Sequence, residues 1–244
     1  MVNNTMFVCF CKDFRFFFQT KMIYLLLFIY TSLVFAITFY TTDIFTNPTI
    51  NMYQFFKFQP GVMAMIIPAL TMRLWADEVK HNTLEVLLSQ PIWYQDVVIG
   101  KFLATWSVVG IMLLLSTPFW FVTEYFSSTD ILWVLINYFV VFLMSGVLCA
   151  ISLLGATIFY NVIGAFFAGL IACVIMVSVP LGQLVFKFLP SEVFLYRIAE
   201  AFDFGKQYND MIMGQVGLIP LIYFCLLIIA SLWITVIVVE YKRS

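Results

Sequence analysis

The chain has 244 residues, of which 64% are apolar and only 10% charged, against about 45–50% and about 25% in soluble domains. So few charges cannot clothe a soluble fold of this length, and lipid must supply the solvent for much of the surface. A net charge of −1 excludes the basic face of a nucleic-acid-binding protein. No polar block is large enough to fold alone, so residues 1–244 read as a single all-α polytopic membrane domain.

Phe7, Phe10, Cys11, Phe14, Phe17 and Phe18 recur at helical spacing, with Lys12, Arg15 and Gln19 elsewhere on the wheel. That pattern suits a helix lying in the cytoplasmic membrane interface; the alternative is an early start to the first span. Apolar runs long enough to cross a bilayer, about 20 residues each, then follow at 22–40, 55–72, 97–122, 131–159, 162–186 and 217–239. The second contains Lys57, Pro60 and Pro68, and the fifth contains Pro180. Six spans are therefore expected, with Tyr160 and Asn161 as the whole connection between the fourth and fifth. No small-residue cleavage site follows the first run, so it is expected to be retained rather than removed as a signal peptide.

The segment between spans two and three, residues 73–95, is polar enough to lie outside the membrane. Asn82 with Glu85 three residues later makes a capping-box-like start, and Pro91 ends the helix. The result is a short helix, Thr83–Gln90, with Leu84, Leu87 and Leu88 on one face. It is too short to span and too apolar for water alone. Insertion into a groove of a second protein satisfies it; so does packing under spans two and three or on lipid headgroups.

Between spans five and six, Pro190-Ser191-Glu192 marks a helix start with Ser191 as N-cap. An amphipathic segment is expected to end near Gly205 and to be followed by a further short one at Tyr208–Met213. Small residues on span five (Gly164, Ala165, Ala168, Gly169 and Ala172) allow a close helix approach, either within the chain or at a dimer seam.

Lys and Arg set orientation. With the N-terminus inside, Lys12, Arg15, Lys21, Arg73, Lys80, Lys101, Lys242 and Arg243 are cytoplasmic, against Lys57, Lys187, Arg197 and Lys206 outside. Both termini are then cytoplasmic, and the helices between spans five and six are extracytoplasmic. No ionisable side chain is expected deep in any span but the second, which disfavours an ion-coupled carrier. The five cysteines (9, 11, 149, 173 and 225) form no metal-ligand spacing, and no nucleophile–base pair or paired carboxylates suggest an enzyme. Metal and catalytic sites are therefore expected to be none.

Ile67-Pro-Ala-Leu-Thr-Met-Arg73, Ala76-Asp-Glu-Val-Lys-His-Asn-Thr-Leu-Glu-Val-Leu-Leu-Ser-Gln-Pro91 and Val98-Ile-Gly-Lys-Phe102, with Ala201–Asp210 before the last span, resemble the ABC-2 type transporter permeases. The gliding-motility-type subgroup is the nearest in pattern. Asn82 departs from it, standing where the family carries glycine.

The resemblance implies a permease subunit of an ATP-binding cassette exporter in a bacterial inner (cytoplasmic) membrane. Such a subunit pairs with a second permease copy or paralogue and is driven by two copies of a cytoplasmic ATPase. Thr83–Gln90 would be the coupling helix, with Asp77, Glu78, Asn82, Thr83, Leu84, Glu85, Leu87, Leu88 and Pro91 serving the docking. Spans one and five would form the dimer seam or pathway face. No phosphate-binding loop is present, so ATP and Mg belong to the partner, and this chain is expected to hold no cofactor and to have no enzymatic activity of its own. The substrate class is a lipid-like, amphipathic or peptide molecule. The alternative is a mechanotransmitter or structural anchor that moves nothing itself. The expected contacts are other proteins and membrane lipid, with no nucleic acid.

Overall fold

A computed structural model describes residues 2–41, 52–80, 93–121, 130–159, 161–179, 202–214 and 217–241. Within them the chain is all helical: α1 (Val2–Gln19), α2 (Lys21–Thr41), α3 (Met52–Lys80), α4 (Tyr94–Ser116), α5 (Ile131–Ile158), α6 (Val162–Ser178), α7 (Phe204–Ile212) and α8 (Leu218–Tyr241). Five helices are long and apolar enough to cross a membrane: α2, α3, α4 extended to Phe121, α5 and α8. The chain is thus a membrane protein by length and composition of its helices.

α5 is the hub. It packs against α3, α4, α6, α7 and α8, and its residues from Val140 to Ala156 are almost continuously buried. α2 and α8 lie at the periphery. Phe28, Leu33, Ile222, Leu226, Ile229 and Trp233 are exposed along them, as lipid-facing side chains are when their solvent is hydrocarbon.

α1 is a helix separate from α2, broken at Thr20. The Thr20 N–H donates to Phe17 O at 3.2 Å, and its hydroxyl donates to Phe16 O at 2.9 Å. α1 is not merely laid on an interface: it packs across the first turns of α4. Cys9, Asp13 and Phe17 are buried, and a Cβ on Gly100 would lie 2.9 Å from Cys9 Cβ. Only a glycine in α4 lets α1 come this close.

α3 departs most from expectation. The second span was placed at 55–72 with a loop from residue 73. Instead one helix runs from Met52 through Pro60 and Pro68 to Lys80. A proline inside a helix removes one backbone hydrogen bond, a loss that neighbouring helices tolerate in a membrane bundle. Beyond residue 72, Leu74, Trp75 and Ala76 are buried, so tertiary packing carries the helix onward.

α6 ends earlier than the expected residue 186, at Ser178. Val179 is extended, at φ −89° and ψ 106°, as the residue before a proline must be. With 17 residues α6 is shorter than the other apolar helices. At its start, Asn161 Oδ1 accepts from Gly164 N at 2.6 Å, which caps the helix and closes a tight α5–α6 hairpin. The break expected near Gly205 falls at Phe202 and Asp203, which are non-helical. Asp203 caps α7 by accepting from Lys206 N at 3.1 Å, so Gly205 lies inside a helix that continues to Ile212. A second break follows the short segment at Gly214, whose φ of 91° favours glycine. The expected helix start at Ser191 lies outside the described residues.

The small residues of α6 are used within the chain. Ala165 and Gly169 are buried, and a Cβ on Gly155 of α5 would lie 2.9 Å from Gly169 N. Ala168, Ala172 and Gly164 are half-buried at the edge of that contact. Thr71 of α3 and Ser152 of α5, bonded at 2.6 Å, complete the seam.

Gly155→Leu should lower the melting temperature in detergent, because overpacking costs about 1–3 kcal/mol. Gly61→Ala, where a Cβ meets nothing within 4 Å, should leave it unchanged or raise it. Equal melts for both variants would contradict the α5–α6 contact.

Candidate functional site

The chemistry of this chain gathers at one end of the bundle, where α1, the last turns of α3 and the first turns of α4 meet. Lys101 sits in the second turn of α4 with its side chain 1% exposed. Its ammonium donates to Glu78 Oε1 at 2.8 Å, to Leu74 O at 3.0 Å and to Asp13 Oδ2 at 3.5 Å. Lys12, half-exposed, donates to the same Glu78 oxygen at 2.7 Å. The Trp75 ring lies 4.9 Å from the Lys101 ammonium, adding a cation–π contact. Two cations and two carboxylates from three helices thus form a neutral cluster.

Neutrality is what makes the burial tolerable. An ammonium stripped of water is expensive unless paired and fully hydrogen-bonded. All three Lys101 protons have acceptors here, one of them a helix carbonyl. Burial pushes the Asp13 carboxyl above the usual range, with Lys101 acting in the opposite direction and Glu78 adding to the rise. For Lys12, burial acts downward, but the hydrogen bond and charge of Glu78 outweigh it, so its pKa is raised.

Lys101 lies near the start of its span rather than deep in it, yet it is buried within the protein. The sequence counts it among the basic residues that set orientation, and nothing in that count marks it as buried. Its partners come from positions 23 and 88 residues away, a separation that no local pattern reveals. Its register relative to Glu78 was legible only as two separate family-like runs.

Of the residues expected to serve docking, Glu78 belongs to this cluster and Asp77 lines the cleft beside it, about 250 Å³ in volume, with Lys12, Asp13, Phe16, Arg73 and Leu74. Asn82, Thr83, Leu84, Glu85, Leu87, Leu88 and Pro91 lie outside the described residues. The segment that carries them starts directly from α3, one turn past Glu78, and rejoins the described chain at Trp93, beside Asp96. Asp96 Oδ2 in turn accepts from the Thr5 hydroxyl of α1 at 2.6 Å. The described chain on both sides of residues 81–92 is therefore bonded to α1, through Glu78 to Lys12 and through Asp96 to Thr5.

Deeper in the bundle, Tyr30 OH donates to Gln59 Oε1 at 3.1 Å and Tyr208 OH to Phe56 O at 2.6 Å. These bonds join α2 and α7 to α3. Among the described residues no group of three or more His, Cys, Asp or Glu is placed to hold a metal. No family model matches the chain, and no curated protein matches it.

Glu78→Gln and Lys101→Met should each lower stability by about 3–5 kcal/mol, since each leaves a buried charge without its main partner. Lys12→Ala, on a half-exposed group, should cost less than about 1 kcal/mol. Asp13→Asn should be milder than Glu78→Gln, and its effect should depend on pH. A carboxyl with a raised folded pKa stabilises below its unfolded pKa, about 3.9, and loses that contribution as pH rises through the folded value. Wild type minus Asp13→Asn, in melts from pH 4 to 8, should therefore fall with rising pH; a flat or rising difference would contradict the burial of Asp13.

Proposed function

We propose that the chain is the permease subunit of an ATP-binding cassette exporter of the ABC-2 type, its α1 end facing the cytoplasm. In this reading six helices span the membrane, α6 among them, and segment 81–92 docks in a groove of a separate ATPase. The observation that supports the reading is the bonding of the chain on either side of that segment. Before it, α3 stays helical to Lys80, with Glu78 bonded to Lys101, which also bonds Asp13; after it, Asp96 accepts from Thr5.

A displacement imposed on the segment by a nucleotide-driven partner would reach α1, α3 and α4 together, and through α3 the α5–α6 seam. That is the rigid-body linkage that alternating access needs. A docking loop on loose tethers would dissipate the motion. Sequence features agree with this geometry: the capping-box-like Asn82 and Glu85, the Leu84 and Leu88 face, and the stop at Pro91. The exported molecule would be lipid-like, amphipathic or a peptide, and a second permease copy or paralogue would complete the pathway.

The purified chain should hydrolyse no ATP alone and should co-purify with an ATPase encoded beside it. Glu85→Lys or Leu88→Asp should abolish that co-purification while leaving the melting temperature of the chain unchanged. Intact assembly in both variants would overturn the docking assignment.

A further inference from the structure

Pro60 has no backbone N–H, and in an α-helix that N–H would donate to the carbonyl one turn earlier, at Phe56. Phe56 O therefore lacks its helical donor. Phe56 is fully buried, so water does not replace that donor, and a buried carbonyl left unpaired is costly. The replacement comes from outside α3. Tyr208 of α7, itself buried, donates its hydroxyl to Phe56 O at 2.6 Å. The tyrosine meets the very carbonyl that the proline has freed.

α7 is placed by more than this bond. The Tyr223 hydroxyl of α8 donates at 2.8 Å to Phe202 O, just before α7 begins. The Phe204 ring meets Phe224 of α8 edge-on, with centroids 5.5 Å apart. α7 thus ties the early turns of α8 to the first turns of α3.

The two prolines of α3 differ in how closely they are confined. Pro68 stands against the α5–α6 seam, where a Cβ on Gly169 would lie 3.3 Å from Pro68 Cβ. Pro60 is followed by Gly61, which is exposed and where an added Cβ would meet nothing within 4 Å. A missing helix bond, a glycine and an open side together make Pro60–Gly61 the weak point of α3.

We propose that Tyr208 is a latch on this weak point. Its hydroxyl stands in for the donor that Pro60 lacks and holds residues 52–59 in line with the rest of α3. When the bond breaks, residues 52–59 turn about Pro60–Gly61 as a unit, while 62–78 stay with the seam and the ion cluster. α7, with 9 residues too short to cross a bilayer, thereby sets whether the Met52 end of α3 is closed onto the bundle. The device requires only the packing of α3, α7 and α8 and does not rest on the exporter assignment.

Hydrogen–deuterium exchange of the full chain in detergent tests the latch, using Tyr208→Phe, Pro60→Ala and the double variant. Tyr208→Phe keeps the ring and removes only the hydroxyl. It should speed exchange about tenfold in peptides covering 52–61, the effect expected from one lost buried hydrogen bond, and leave 65–78 unchanged. Pro60→Ala restores a backbone donor to Phe56 O. In that background Tyr208→Phe should therefore change exchange at 52–61 by less than about twofold. An equal rise in both backgrounds would show that the hydroxyl does not act on the freed carbonyl, and would overturn the latch. No change on Tyr208→Phe in the otherwise wild-type chain would overturn it as well. So would a uniform rise along all of α3, which would mean loosening of the whole helix rather than release of one end.

Discussion

A lysine ammonium with 1% of its side chain exposed cannot stand alone inside a helical bundle, and the arrangement around Lys101 follows from that constraint. It needs anionic and carbonyl acceptors on every side, and one helix cannot supply them. Glu78 and Leu74 O come from α3 and Asp13 from α1, so neutralising one charge fixes the relative placement of three helices. The same requirement extends α3 past its apolar part: Leu74 and Glu78 reach Lys101 only if the chain stays helical beyond residue 73. Gly100, beside Lys101, admits α1 closely enough for Asp13 to reach.

Farther from this cluster the bundle is held by different means. α5 and α6 meet through Gly155 and Gly169 at backbone contact distance, where dispersion and close packing supply the attraction that lipid does not. Single hydrogen bonds, Tyr30 to Gln59, Tyr208 to Phe56 O and Thr71 to Ser152, connect α3 to its neighbours. α3 therefore takes part in both systems. It carries the ion cluster at one end and packs against the small-residue seam along its length, which gives the proposed docking segment a continuous route into the bundle.

Much of this was legible from residues alone. Apolar runs located the helices now bounded at Lys21–Thr41, Tyr94–Ser116, Ile131–Ile158 and Leu218–Tyr241 to within a few residues, because span length is set by the bilayer. Two of the misses share one cause. Residues 73–80 read as a loop because their charges are polar in isolation, and only the partners of Glu78 in α1 and α4 make it burial-competent. Lys101 looked like a surface lysine for the same reason. The break expected near Gly205 lies two residues earlier, because Asp203 caps a helix that buries Phe204, Tyr208 and Met211. Where local chemistry decides, as with Pro180 ending α6 at Val179, the proline was visible but the position of the stop within the run was not.

The central claim is that Lys101 and Glu78 form one electrostatic unit that holds α1, α3 and α4 together. A double-mutant cycle of Lys101→Met and Glu78→Gln, read from unfolding free energies in detergent, tests it most directly. The account predicts non-additive losses, with a coupling of about 1–3 kcal/mol and a double variant less damaged than the sum of the singles. Losses that add within about 0.3–0.5 kcal/mol would show that the two side chains act independently and would contradict it.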